Sequence, residues 1–164
     1  WQAAQEDDKR GMGTTCTLAA IRSDQLFLAH IGDSRAYLFR EGNLHQVSKD
    51  HSWVEDAVDQ GVITREQARI HPNRNVITRA IGLEQQPKID TYVMPLAEGD
   101  LLLLCSDGLN SMIPDDDIHR ILTGSSQEDV CQALIDAAND QGGHDNTTVV
   151  IAAIGGQRKS PETT

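Results

Sequence analysis

Long hydrophobic runs are missing from this sequence. Nowhere do the roughly 20 consecutive apolar residues that cross a bilayer occur. Cysteine is scarce as well. Cys16, Cys105 and Cys131 are odd in number and widely spaced, and no CxxC pair occurs. That excludes a disulfide framework and a cysteine-built zinc site. Cys16 and Cys105 lie in apolar runs and are expected to be buried thiols, not nucleophiles. Positive charge is in short supply, because 14 Lys and Arg face 25 Asp and Glu and leave a net charge of −11. A nucleic-acid binder needs a basic face to displace counterions, so that class is excluded. The same field repels phosphorylated substrates. Phosphate chemistry here would need a local reversal of sign, which bound divalent cations supply. The opening WQAAQEDDKR is polar and acidic and holds no secretory leader, so a soluble, cytoplasmic chain is expected.

What is present suits one domain, because 164 residues can bury one sizeable core. Residues 1–13 read as the end of a helix and a linker, 14–154 as the domain, and 155–164 as a polar tail. Apolar alternation marks strands over 14–21, 25–32 and 34–41, joined by short turns, with a short edge strand over 44–48. Alternation stops between residues 50 and 82. There Ser52 caps a helix through WVEDAVDQ that Gly61 ends. Thr64 and Gln67 make a capping box for a second helix, which stops before His71-Pro72. Strands return over 88–95 and 100–106, and the unbroken apolar run LLLLC predicts cover on both faces of the second. Helices are expected over 115–122 and 127–140, the latter with Ser125 and Glu128 as a capping box. Residues 147–154 complete the set as a buried strand. Strands in runs, without βαβ alternation, predict an α+β fold of two packed antiparallel sheets with helices outside.

Three aspartates sit in matching contexts. Asp33 lies in IGDSR, Asp107 in CSDGL and Asp145 in GHDNT, each beside Gly, Ser or Asn at the end of an apolar strand. A strand end fixes a short carboxylate, and a small neighbour leaves room for an ion. Hard cations such as Mg²⁺ and Mn²⁺ take oxygen ligands of this kind. Each pair is also an ordinary turn former, so one alone decides little. His30, between two strands, reads as packed or hydrogen-bonded, and Arg35 and Arg79 as ion-pair partners more than phosphate contacts. His144 precedes Asp145, where it could tune a metal shell.

The segments GMGTT (11–15), HIGDSRAYLFREGNL (30–44), DHSWV (50–54), HPNRNVITRAIG (71–82), GDLLLLCSDGL (99–109) and GGHDNTTVVIA (142–152) follow one another as in a known family. The chain resembles the metal-dependent protein phosphatases of the protein phosphatase 2C type, and most of all their bacterial serine/threonine branch. That resemblance implies an αββα sandwich. It implies that Asp107 and Asp145 bind one metal of a catalytic Mn²⁺ or Mg²⁺ pair, and that Asp33 shares a third ion with Asp107. It makes residues 50–82 a flap controlling substrate access, with His51, His71, Arg74, Asn75 and Arg79 in its motifs. The implied reaction is hydrolysis of phosphoserine and phosphothreonine by a metal-activated water, without a phosphoenzyme. The implied partners are phosphoproteins and a cognate kinase.

Upstream of the MGTT element the family carries a phosphate-holding arginine, an acidic ligand of the second metal and an Asp-Gly pair that bridges both metals. Only ten residues precede Gly11 here. Glu6, Asp7 and Asp8 match none of those groups and read as a solvated acidic helix end. The phosphate-binding residues are therefore unassigned, and the chain alone is expected to be weakly active or inactive. An incomplete sandwich would also bare a sheet edge at 14–21 or 25–32, through which a dimer could form. The competing readings are a non-catalytic pseudophosphatase or regulatory module, and a phosphatase of anti-sigma antagonist proteins on a related fold.

Overall fold

The structure is a computed structural model that describes residues 2–126 and 128–155. Strands β1 (Cys16–Arg22), β2 (Gln25–Ile31) and β5 (Asp90–Pro95) form a three-stranded antiparallel sheet in the order β1-β2-β5. Strands β3 (Arg35–Arg40), β4 (Asn43–Gln46), β6 (Leu101–Cys105) and β7 (Val149–Ala153) form a second in the order β4-β3-β6-β7. Helices α1 (Trp53–Asp59) and α2 (Arg65–Ile70) interrupt the strands. Helices α3 (Asp107–Asn110), α4 (Asp115–Gly124) and α5 (Val130–Asp140) follow β6.

Strand alternation sorts the side chains into two cores. Leu38 of β3 and Leu102 of β6 point one way, and they meet Leu26 of β2 and Leu96 between the sheets. Tyr37, Phe39, Leu101 and Leu103 point the other way, onto Ile118 and Leu122 of α4 and Val130, Leu134 and Ala138 of α5. Both faces of β6 are thus covered, as the unbroken apolar run requires. The helix caps agree with their sequence signals. Ser52 accepts from the Glu55 amide, and Thr64 and Gln67 exchange both bonds of a capping box. Arg40 forks onto Asp100 at 2.8 and 2.6 Å, and this buried carboxylate also accepts from the Ala97 amide at 2.7 Å.

Several expectations are corrected. The chain start is two 3-10 turns, Ala3–Gln5 and Asp7–Lys9, in place of a helix end, with Glu6 and Asp7 paired to Lys9 and Arg10 on the surface. Strand β2 is central, between β1 and β5, so only β1 of the two named candidates is an edge. Cys16 is exposed because its position on β1 faces away from the inter-sheet core, whereas Cys105 is buried. Strand β7 is only half-buried, being the outer strand of its sheet. Helix α5 begins at Val130 with Asp129 as its N-cap and no side-chain cap bond among the described residues, and the Ser126 hydroxyl accepts from the Asp129 amide. Gln127, where that helix was expected to start, and most of the polar tail lie outside the described residues. The one-turn helix α3 after β6 had no sequence expectation, since four residues are too few for an apolar period.

Leu134 is fully buried and Leu18 is 55% exposed. Leu134→Ala should therefore cost about 2–5 kcal/mol of unfolding free energy, and Leu18→Ala less than about 0.5 kcal/mol. Urea titrations of the two variants against the parent measure the difference.

Candidate metal centre and cleft

The register of the four-stranded sheet places the three aspartates. Cys105, the last residue of β6, pairs with Arg35 at the start of β3 and with Val149 at the start of β7. Both neighbours are antiparallel, so the turn before β3, the start of α3 after β6 and the loop before β7 emerge at one end of the sheet. Asp33, Asp107 and Asp145 occupy those three segments.

Each segment is held by local contacts. Gly32 has φ 113°, and a Cβ there would lie 2.3 Å from the Thr15 side chain. Only glycine lets the IGDS turn lie against the start of β1. The Thr15 and Ser34 hydroxyls hydrogen-bond across that contact at 2.9 Å. His51 grips the turn from the other side. Its amide donates to the Gly32 carbonyl at 2.7 Å, and its Nδ1 accepts from the Gly32 amide at 3.1 Å. With Nδ1 accepting, Nε2 carries the proton and donates to Asp90 at 3.1 Å. The other Asp90 oxygen accepts from Arg79 at 2.9 Å. Burial raises the Asp90 pKa, but the bonds from Arg79 and His51 outweigh it and hold it at about 2. His51 is fully buried, and burial pulls its pKa below the ordinary histidine value. His30 lies against it and is hydrogen-bonded as expected, donating to the Lys49 carbonyl and accepting from Thr17 at 3.0 Å each.

The other two segments are laced together. A Cβ on Gly108 would fall 2.4 Å from the Asn146 carbonyl oxygen, so the backbones of the SDG and HDN loops touch. Ser106 Oγ donates to the Asn146 carbonyl at 3.1 Å and accepts from the Thr148 amide at 2.9 Å. Thr147 Oγ1 donates to the Gly108 carbonyl at 3.1 Å. Asp145 accepts from the Asn146 amide at 2.7 Å.

The carboxylates oppose one another. Asp33 is buried, and that burial, with the charge of Asp107, pushes its pKa up to about 6. Asp107 is half-buried, and its pKa is raised by burial and then by Asp145. Among the described residues no three His, Cys, Asp or Glu side chains converge tightly enough to ligate one ion. What the chain offers is two mutually repelling oxygen pairs, Asp33 with Asp107 and Asp107 with Asp145. Such pairs fit a hard divalent cation.

Asp33 and Asp107 line a cleft of about 200 Å³. One wall is a clamp that the sequence did not reveal. Arg35 forks onto Asp50 at 2.8–3.0 Å and donates to the Tyr37 hydroxyl at 2.9 Å, which donates to Asp115 at 3.0 Å. Arg35 is thus an ion-pair partner, as is Arg79. The 50–82 segment also supplies Arg65, Arg69, Arg74 and Asn75 to the lining. Of the other residues expected there, His71 stacks on Trp53 at 4.7 Å between ring centres, and neither it, His51 nor Arg79 lines the cleft. Asp145 and His144 are exposed outside it. Arg65 and Arg69 went unnoticed in the sequence, although their i,i+4 spacing on α2 puts them on one helix face.

The raised Asp33 pKa has a stability consequence. In metal-free solution the folded chain holds a proton on Asp33 between about pH 4 and 6 that the unfolded chain has released. Its contribution is therefore intact below about pH 4 and lost as pH rises through about 6. Asp33→Asn should remove that loss and stabilise the chain at pH 7 by up to roughly 3 kcal/mol. Urea unfolding of both chains in chelator at pH 4 and pH 7 measures it, and an unchanged gap between them argues against the assignment.

A family model described as Protein phosphatase 2C matches residues 2–147. The serine/threonine phosphatase Stp of Listeria monocytogenes is 42% identical over 153 residues, which covers 91% of this chain and 60% of that protein. The crystal structure of the Staphylococcus aureus serine/threonine phosphatase Stp1 superposes with a TM-score of 0.89 at 38% identity, covering 94% of this chain and 61% of that one. The catalytic domain of the phosphatase PstP, solved with two manganese ions, superposes at 0.80 with 40% identity, covering 92% of this chain and 62% of that one. The chain therefore spans about 60% of the length of the curated relatives it matches.

Proposed function

This chain belongs to the protein phosphatase 2C family, and on that premise we propose that it is part of a metal-dependent phosphatase of phosphoserine and phosphothreonine proteins. The observation that carries the reading is the gathering of Asp33, Asp107 and Asp145 at one sheet end, with the Asp33 pKa lifted to about 6. Asp107 and Asp145 would hold one Mn²⁺ or Mg²⁺, and Asp33 with Asp107 another. The two manganese ions of PstP support that choice of metal. Such ions supply a nucleophilic water at neutral pH and positive charge for the phosphoryl oxygens. The chain's own residues do the positioning. Gly32, Thr15 and His51 hold the Asp33 turn, and Ser106 and Thr147 keep the Asp107 and Asp145 loops in contact. Residues 50–82 form the substrate-access flap, with Arg74 and Asn75 on the cleft wall and His51, His71 and Arg79 bracing it.

No helix among the described residues is long and apolar enough to cross a membrane. A cytoplasmic setting opposite a serine/threonine kinase is our reading of the biological context. The free side of edge strand β1 is a template for pairing with a second copy, and the charge of −11 favours a discrete dimer over aggregation. Light scattering over a dilution series tests that pairing.

A second reading, a non-catalytic pseudophosphatase or regulatory module, draws on the lack of a three-ligand cluster among the described residues. One experiment separates the two. Mn²⁺ is titrated into the chain by calorimetry, and hydrolysis of a phosphothreonine peptide is followed in the same buffer. In this chain we expect Mn²⁺ binding that is weak and that Asp107→Asn abolishes, with little or no turnover; in a chain extended to the full length of its relatives we expect turnover that chelation removes and Asp107→Asn lowers by orders of magnitude. Phosphopeptide binding without turnover by the extended chain at saturating Mn²⁺ favours the module. Turnover that survives both chelator and substitution overturns the metal mechanism.

A further inference from the structure

We propose that the α2 wall of the cleft is a docking site for an acidic peptide segment, its Asp and Glu carboxylates seated on Arg69 and Arg74. The proposal rests on the phosphatase reading only for the position of the phosphorylated residue. The cleft is lined by charges of both signs. Asp33, Asp50, Glu55, Asp107 and Asp115 line it together with Arg35, Arg65, Arg69 and Arg74; Arg35 is paired with Asp50 and Arg65 with Glu55, which leaves Arg69 and Arg74. This is against the composition, because the chain carries 25 acidic and only 14 basic side chains.

The arginine side is held in place. Arg65 and Arg69 are one helical turn apart on α2, and Ala68 between them also lines the cleft, so this face of the helix is turned inward. Arg65 is occupied, forking onto Glu55 of α1 at 3.2 Å through both nitrogens. The Trp53–His71 stack ties the end of α2 to the start of α1. Arg69 and Arg74 are exposed and make no ion pair among the described residues. Two free guanidinium groups on a braced wall accept carboxylates bidentately. The carboxylates Asp33 and Asp107 in the same cleft, unpaired among the described residues, repel those acids, which favours a segment whose flanking acids lie along Arg69 and Arg74. A basic segment would find Arg69 and Arg74 repulsive.

Fluorescence anisotropy of labelled phosphothreonine peptides on this chain in Mn²⁺ tests the site. One peptide carries aspartates beside the phosphothreonine and the other alanines. Unphosphorylated versions of both are run alongside, and turnover of each phosphopeptide is measured on a chain extended to the full length of its relatives. The aspartate peptide should bind about tenfold more tightly, as two partly exposed charge pairs can provide. The double variant Arg69→Ala/Arg74→Ala should lose that preference, Arg69→Lys/Arg74→Lys should keep part of it, and 0.5 M salt should erase it. Both positions are exposed, and unchanged melting curves confirm that the variants fold. Because the chain's own charge repels acidic peptides, non-specific attraction cannot mimic the result. Equal affinity for the two peptides, or a preference that survives in the alanine variant, overturns the docking site. A preference that persists in the unphosphorylated pair, with no turnover by the extended chain, keeps the docking site and overturns the phosphatase reading. Turnover without preference does the reverse.

Discussion

Antiparallel pairing on both sides of β6 is the constraint on which the rest of the molecule depends. Because Cys105 faces Arg35 on one side and Val149 on the other, three segments distant in sequence must emerge together. A register slip of one residue would turn Leu101 and Leu103 from the helices toward the other sheet and move Asp107 relative to both neighbouring carboxylates. The apolar packing resists that slip. Leu101 and Leu103 sit in one core and Leu102 in the other, each at most 2% exposed. The geometry of the candidate site is therefore maintained by burial well away from it.

That dependence also explains what the sequence made legible. A continuous run such as LLLLC advertises a doubly covered strand, and Gly, Ser and Asn beside an aspartate advertise its end, so Asp33, Asp107 and Asp145 could be named from local pattern. The family resemblance then joined them. What local pattern does not carry is which strand neighbours which. Strand β2 read as a candidate edge, yet its outer side is closed by β5, more than fifty residues further along the chain. Cys16 failed for a related reason. Its apolar surroundings are real, but strand parity turns it outward, and parity follows from pairing. The Arg35–Asp50–Tyr37–Asp115 clamp was invisible because its members meet only once β3, the loop after β4 and the start of α4 have been packed.

His51 shows how a short segment can serve two parts of the fold. Its backbone belongs to the start of the 50–82 segment, donating to Gly32 and accepting from the Thr78 amide at 2.8 Å. Its ring continues the link, from the Gly32 amide to Asp90 on β5 and thence to Arg79. One fully buried imidazole therefore connects the turn bearing Asp33, the return limb of the helical segment and the three-stranded sheet. Burial favours the neutral ring, which keeps one nitrogen an acceptor and the other a donor. A doubly protonated ring would have two donors and would lose the Gly32 bond. The lowered pKa and the bonding pattern are consequently two aspects of one arrangement.

Gathering carboxylates at a sheet end works against folding. Asp33 carries the cost most visibly, since its burial and the charge of Asp107 both favour the protonated form. Like charges at one sheet end drive their segments apart, so the arrangement requires those segments to be held rigidly. The two glycines provide that rigidity in an unexpected way. Gly32 and Gly108 act through close contact, not flexibility. A side chain at either would strike Thr15 or the Asn146 carbonyl, and its absence lets neighbouring backbones lock together. The hydroxyls of Thr15, Ser34, Ser106 and Thr147 fasten the same contacts. Small residues around the three aspartates thus do more than form turns. They allow segments carrying like charges to be held against their own repulsion.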